Sequence, residues 1–376
     1  MNKKVGVVIG GSGLIGGTIV NYYKTVHADT IDIRAPSSKK LSLREEDDIR
    51  RYMIEVNPHF IINAAMANLG SDGQLAYEVN YRGPVNLARA AAGLGVPLIH
   101  MTSAATLPPG KNLTEQDTLS LRPNLSNYAK SKLMAEKSLH LMARTGSLDY
   151  SCVRLAIVYG AHDHKIQGFH RLLFSVADES MPVLFTKKNT LHSYTNAKKL
   201  PYLVHHMLEH REEFSGQTFN FVDRQPVDLS ALILEIKSFL NLNLPKKIYV
   251  PFWFATSGKK TLEIMLRLFR RVGLKANLPP ELIFLDSFYK SQTLSITKLE
   301  KSSFVDPYPW ETIHTMLPEL IYYYLSRWTR ENLITTYKDK LDHEKSVEDI
   351  FDQDPQRLLD LVHAQGLNAY SDLSEN

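Results

Sequence analysis

Tyr128 and Lys132 stand four residues apart in Tyr128-Ala129-Lys130-Ser131-Lys132, a spacing that sets a phenol and an ammonium on one helical face. A phenol ordinarily keeps its proton to about pH 10, so at neutrality it is a poor base. A cation one turn away favours the phenolate and brings that proton into a usable range. The pair also recurs on many solvated helices, so its meaning rests on what the rest of the chain brings to it.

The elements that must position it are legible. Up to Gly160 the chain alternates short apolar runs with helical patterns, which is how a parallel sheet with crossover helices reads. Strands are predicted over Val5–Ile9, Thr30–Ile33, Phe60–Asn63, Leu98–Thr102 and Tyr150–Leu155, and helices over Leu14–Thr25, Glu45–Val56, Leu75–Leu94 and Asn127–Thr145. Runs such as Val5-Gly6-Val7-Val8-Ile9 are almost wholly apolar, as strands covered on both faces must be.

The first strand runs into Gly10-Gly11-Ser12-Gly13-Leu14-Ile15-Gly16. Glycines there permit a tight strand-to-helix turn and let a diphosphate approach the N–H groups at a helix N-terminus. This predicts an α/β chain built on a Rossmann-type doubly wound parallel sheet, with residues 1–160 as the dinucleotide-binding domain. Asp32, near the end of the second strand, suits both hydroxyls of an adenine ribose, which favours NAD. Arg34, Ser37, Ser38 and Lys39 follow and could instead cradle a 2′-phosphate, so NADP stays possible.

Regularity fades after Gly160. Residues 161–328 read as a smaller α+β substrate-binding domain, some of whose strands return to the first. Its helices are expected over Lys199–Glu212, Ser230–Leu240, Thr261–Val272 and Glu311–Trp328. Residues 329–376 read as a polar helical tail.

The composition, 44% hydrophobic and 22% charged, is that of a globular protein, and a net charge of +4 is too small to argue for nucleic acid. The single cysteine, Cys152, excludes an internal disulfide and lies in an apolar run, so a buried thiol is expected. Lys3 and Lys4 precede only a short apolar run that breaks at Gly10, unlike an export signal, and no stretch reaches the length of a spanning helix. The expectation is a cytoplasmic protein. His162, Asp163, His164 and His170 lack a recognised ligand spacing, so no metal is expected, and a substrate-facing role for one of these histidines stays open.

With both ends in view, the chain resembles the extended short-chain dehydrogenase/reductases, the NAD(P)-dependent epimerase/dehydratase superfamily. The resemblance is an ordered series: Asn63-Ala64-Ala65 after the third strand, Glu78-Val79-Asn80-Tyr81-Arg82-Gly83 with Asn86-Leu87, and His100-Met101-Thr102-Ser103. Asn127-Tyr128 through Ala135-Glu136 and Arg154-Leu155 through Tyr159-Gly160 complete it. It implies that Tyr128 exchanges a proton with the substrate oxygen and that Lys132 tunes it and binds the nicotinamide ribose. Ser103 would bond the reacting oxygen, and Asn80 would steady the helix or a water behind Lys132. Asn63, Ala64 and Ala65 would line the cofactor. Two departures stand out. Thr106-Leu107-Pro108-Pro109-Gly110 replaces the usual Val-Tyr-Gly, which leaves Thr102 or Thr106 as alternatives to Ser103. Ser42-Leu43 stands where an Asp-Leu pair often contacts adenine. A homodimer through Leu75–Leu94 and Asn127–Thr145 is implied as well.

Residues 245–325 are loosely similar to the 3β-hydroxysteroid dehydrogenase branch, through Val250-Pro251-Phe252-Trp253-Phe254, Thr261-Leu262-Glu263 and Ile296 to Glu300. That similarity implies a lipophilic, acyl or sterol-like secondary alcohol or ketone. Thr261–Leu274 is apolar on one stripe and basic around it, a pattern for weak membrane-surface contact or for an ordinary packed helix. A nucleotide-sugar epimerase, dehydratase or reductase is the second reading, with Lys165 and Arg171 available for a diphosphate. A non-catalytic NAD(P)-sensing protein is the third.

Overall fold

The computed structural model describes residues 3–146, 148–177, 183–249, 285–331 and 333, with 355–356 and 359–360 of the tail. Thr261–Val272, Thr261–Leu274 and Val250–Phe254 lie outside the described residues. Residues Met1–Pro318 form one compact unit and Glu319–Asn376 a second.

Strands β1 (Lys4–Ile9), β2 (Ile31–Arg34), β3 (Phe60–Asn63) and β4 (Leu98–Ser103) enter one parallel sheet. Strand β5 (Gly110–Leu113) lies elsewhere, and β6 (Tyr150–Leu155) returns to that sheet. Strand β7 (Ile157–Tyr159) pairs with β10 (Tyr194–Asn196), and β8 (Val183–Thr186) with β13 (Lys246–Tyr249). Strands β9 (Leu191–His192), β12 (Val227–Asp228) and β14 (Gln292–Leu294) join β5 in a small mixed sheet. Strand β11 (Gln217–Phe221) pairs with β6, so the main sheet has the order β11-β6-β4-β3-β1-β2. Strand order reverses between β1 and β3. In such sheets ligands bind outside the carboxyl ends at that reversal. The expected Rossmann-type architecture is present.

Alternate strand residues feed opposite layers. Val8, Ile62, Ile99 and Val153 pack with Ile19 and Tyr23 of α1 (Leu14–Val26) and with Leu203 and Met207 of a later helix. Val7, Ile9, Ile61 and the buried Cys152 pack with Ile49 and Met53 of α2 (Glu46–Val56). Fully burying each aliphatic side chain is worth about 1.5–3 kcal/mol, so a one-residue slip of any strand would forfeit both layers.

The predicted continuous helix over Leu75–Leu94 is broken into α3 (Gly73–Leu75), a π-helical segment (Ala76–Arg82) and α4 (Gly83–Leu94). Pro84 has no N–H to return to the carbonyl four residues back, and the N–H of Gly83 reaches Glu78, five residues back. Helix α5 (Asn127–Thr145) keeps its predicted bounds, opened by Ser126, whose hydroxyl accepts from the Ala129 N–H at 3.1 Å. Helix α6 (Gly168–Ala177) follows β7. The helix expected over Lys199–Glu212 is a 3₁₀ turn (Ala197–Lys199), α7 (Leu200–Glu209) and α8 (Arg211–Phe214), broken where His210 leaves helical geometry. Helices α9 (Leu229–Phe239), α10 (Leu285–Tyr289), α11 (Thr297–Glu300) and α12 (Ile313–Arg330) complete the described chain.

Candidate active site

The nucleotide end is built by backbone. Gly10 has φ +83°, and a Cβ there would meet the Ala65 nitrogen at 2.7 Å; one on Gly16 would sit 2.2 Å from the Gly10 oxygen. Only glycine closes this turn. Gly13 caps α1 without a side chain, and no acidic residue lies in its first turn. The helix thus offers Leu14, Ile15 and Gly16 N–H groups and a positive dipole end to an anion, beside Ser12. This cradle fits a dinucleotide diphosphate. Asn63 forms the opposite wall: its Oδ1 accepts from Ala65 at 3.1 Å, and Ala64 donates to the Ile9 oxygen at 2.9 Å.

Asp32 and Arg34 share one face of β2, and Asp32 Oδ2 accepts from Arg34 Nη2 at 2.7 Å. Register sets Asp32 opposite Val5 and Arg34 opposite Val7, so Arg34 is the nearer to the carboxyl end of the sheet. Leu43 is buried in the core layer with Ile9 and Leu41, and Ser42 Oγ accepts from the Arg44 N–H at 3.3 Å. Ser42 and Leu43 are therefore engaged by their own turn and by the core.

At the reactive end, burial pushes the Tyr128 phenol above its ordinary value, against the neighbouring Ser103 hydroxyl, which acts to lower it. Ser103 Oγ also accepts from the Ala105 N–H at 3.2 Å. The Thr102 hydroxyl turns away and donates to Glu136 Oε1 at 2.5 Å, and the Thr106 hydroxyl shares its proton between the Ser103 carbonyl at 2.9 Å and Glu136 Oε1 at 3.2 Å. Of the three candidate hydroxyls, it is Ser103 that the fold brings to Tyr128.

Lys132 is buried and donates to the Met101 oxygen at 2.9 Å. Burial pulls its ammonium down to about 8, against Cys152 and Glu136, which act to raise it. The neighbouring His100 is fully buried, and burial followed by the Lys132 charge holds it well below the usual imidazole range. The site thus carries one cation at neutral pH, not two. Asn63 Nδ2 lies 3.2 Å from His100 Nδ1. Asn80 sits on the π-helical segment; its Oδ1 accepts from the Ala67 N–H at 2.8 Å, while its buried Nδ2 has no partner.

Sequence reasoning missed the polar core beneath this set. Arg154 Nη2 donates to Glu136 Oε2 at 2.7 Å, and Arg154 Nη1 donates to Asn220 Oδ1 and the Glu115 oxygen, both at 3.3 Å. The available signal was Glu136 itself, four residues beyond Lys132. His170 is buried against the Lys165 oxygen at 3.1 Å, and Lys165 Nζ donates to Asn68 Oδ1 at 3.2 Å. Among the described residues no three His, Cys, Asp or Glu side chains are grouped to hold a metal ion.

Comparison with known proteins supplies the family. The model of the NAD dependent epimerase/dehydratase family matches residues 7–221, from β1 to the end of β11 and more than half of the chain. The chain is 30% identical over 129 residues to a decarboxylating sterol-4-alpha-carboxylate 3-dehydrogenase of Schizosaccharomyces pombe; the match spans 33% of this chain and 37% of that protein. A GDP-mannoheptose C4 reductase from Campylobacter jejuni, solved with NADP, superposes with a TM-score of 0.65 at 10% identity, covering 86% of this chain and 99% of that one. A dTDP-glucose 4,6-dehydratase from Bacillus anthracis, solved with NAD, gives 0.63 at 13% identity, covering 87% and 98%. At these identities the two structures speak for the fold, that of the extended short-chain dehydrogenase/reductases. The family model, the ordered series of sequence elements and the strand-order reversal between β1 and β3 agree: this chain belongs to the NAD-dependent epimerase/dehydratase family.

Proposed function

We propose that this chain is an NAD(P)-dependent oxidoreductase that interconverts a secondary alcohol and a ketone, with Tyr128, Ser103 and Lys132 as its reactive set. The observation that carries the reading is Ser103 facing the Tyr128 phenol, with the buried Lys132 one turn along the same helix face. In the reductive direction the Tyr128 phenol, the form its burial favours, gives its proton to the substrate oxygen as the carbonyl carbon takes a hydride; the oxidative direction starts from the phenolate, which takes the hydroxyl proton as the carbinol carbon gives up its hydride. Ser103 holds the reacting oxygen and stabilises the charge that develops on it. Lys132 spends one of its three donors on Met101, which leaves two for the nicotinamide ribose. A bound nicotinamide dinucleotide supplies or accepts the hydride. The Gly10–Gly16 turn would hold its diphosphate, and Asp32 or Arg34 its adenine ribose.

The substrate class we favour is lipophilic and sterol-like, supported by the sterol-4-alpha-carboxylate dehydrogenase relative. The names of the superposed structures favour a second reading, a nucleotide-sugar reductase or dehydratase. A screen of sterols, 3-ketoacyl compounds and nucleotide sugars, read by nicotinamide absorbance, separates the two. With the substrate it finds, Tyr128→Phe is expected to lower kcat by about 10²–10⁴-fold while dinucleotide affinity holds. Near-parental turnover in that variant would remove the proton-transfer role.

A further inference from the structure

Tyr128, Lys132 and Glu136 succeed one another at four-residue spacing, so one face of α5 carries a phenol, an ammonium and a carboxylate in line. The first two have a place in the proposed chemistry. Glu136 is buried, 7% exposed, and reaches away from the crevice into the sheet. Its Oε1 accepts from Thr102 at 2.5 Å and from Thr106 at 3.2 Å, and Arg154 holds both oxygens, at 3.3 Å from Nε and 2.7 Å from Nη2. Thr102 is the residue before Ser103, and Thr106 ends the 3₁₀ turn (Ala104–Thr106) after it. Thr106 Oγ1 also approaches the Ser103 carbonyl at 2.9 Å. One carboxylate therefore grips the strand on both sides of Ser103 while belonging to the helix that carries Tyr128 and Lys132.

Stability alone is a poor reason for this arrangement. Taking an arginine and a carboxylate out of water costs several kcal/mol per ion, and well-packed apolar residues of similar volume often do as well. What the ion pair supplies that apolar residues do not is fixed direction. Two hydroxyls and a planar guanidinium converge on one group and fix both its place and its orientation.

We propose that Glu136 is the positioning residue of the reactive set, locking the α5 face that bears Tyr128 and Lys132 to both flanks of Ser103. The inference rests on the oxidoreductase reading above. It has an electrostatic corollary. The titratable and charged groups around Lys132 are Tyr128 and Glu136 on its own helix, His100 on β4, and Cys152, Tyr150 and Arg154 on β6. Tyr81 of the π-helical segment meets Ser138 instead. Burial drives the Cys152 and Tyr150 protons on more tightly and holds His100 neutral. Against that burial Cys152 and then Glu136, the carboxylate of this group, act to raise Lys132.

The test uses the full-length protein and the substrate found by the screen, with NADH and NADPH binding followed by fluorescence and folding by thermal denaturation. Glu136→Asp draws the carboxylate back by one methylene and keeps its charge. It should lower kcat about 10²-fold, the cost of an ångström-scale misplacement, with KM and dinucleotide affinity nearly unmoved. Thr106→Val removes the hydroxyl's contacts to Glu136 and to the Ser103 carbonyl, leaves the ion pair intact, and should lower kcat about tenfold at a modest cost in melting temperature. Glu136→Gln should move the alkaline limb of the kcat profile to lower pH. If Glu136→Asp and Thr106→Val lose melting temperature but keep parental kcat, the carboxylate is merely structural and the proposal fails. If Tyr128→Phe is itself active, the oxidoreductase reading fails first, and this one with it.

Discussion

The Lys132 ammonium donates to the Met101 carbonyl, 2.9 Å away on β4, so the charge proposed to assist Tyr128 is anchored to the strand behind it. A buried cation with so few charged neighbours is expensive, which is why its proton affinity drops.

A stability measurement exposes this without any substrate. Lys132 is pulled by burial from 10.5 down to about 8 in the folded protein. Between those two values the unfolded chain binds the proton and the folded one does not, so stability rises with pH across that window. In Lys132→Met this rise is absent. The variant should gain on the parent by up to about 3 kcal/mol at pH 7, and the gain should shrink toward pH 10. Urea unfolding of both proteins at pH 7, 8, 9 and 10 checks it; a difference that stays constant with pH rules the buried charge out.

In the proposed cofactor site Asp32 and Arg34 would compete for the same ribose. The pair is exposed, 41% and 55% for the two side chains, so it adds little to stability, and its interest lies in what it leaves free. With Asp32 present, Arg34 is neutralised and the carboxylate faces an incoming 2′-phosphate. Asp32→Ala should weaken NAD about tenfold by loss of a charge-assisted hydrogen bond and release Arg34 to strengthen NADP. Dinucleotide titrations at one fixed salt concentration decide it. An unchanged NAD/NADP ratio would detach Asp32 from the cofactor.

Much of this fold is legible in the sequence. Phe60–Asn63, Tyr150–Leu155 and Asn127–Thr145 appear with the bounds their apolar patterns and caps dictate, because burial on both faces leaves little ambiguity. The π-helical Ala76–Arg82 was not readable as such, since apolar spacing over two turns does not distinguish bonds to the fourth residue from bonds to the fifth. Pro84 was the overlooked mark. The facing of Ser103 and Tyr128 follows from β4 lying beneath α5, whereas Glu136 finds Arg154 only because β6 pairs with β4, a fact of topology that no local window holds. The cluster of Tyr159, Asp223, Lys199 and Asp306 draws on four separate segments and carried no local signal at all.

That cluster yields the last prediction. Asp223, just beyond β11, is buried; Tyr159 Oη donates to its Oδ2 at 2.7 Å, and Lys199 Nζ lies 3.8 Å from its Oδ1 and 3.1 Å from Asp306. Burial outweighs these partners, Asp306 adds its own negative charge, and the Asp223 carboxyl is pushed from 3.8 up to about 6. Because the folded value is the higher, the folded protein holds a proton that the unfolded chain has already lost. The parent is therefore at its best below about pH 4 on this account, and loses stability as pH climbs through 6. Asp223→Asn cannot titrate, yet keeps an acceptor for the Tyr159 hydroxyl. The variant's stability relative to the parent should rise by about 3 kcal/mol between pH 4 and pH 7 and then level off. Denaturant unfolding at four pH values across that range measures it, and a flat difference would mean that Lys199 neutralises the carboxylate in full.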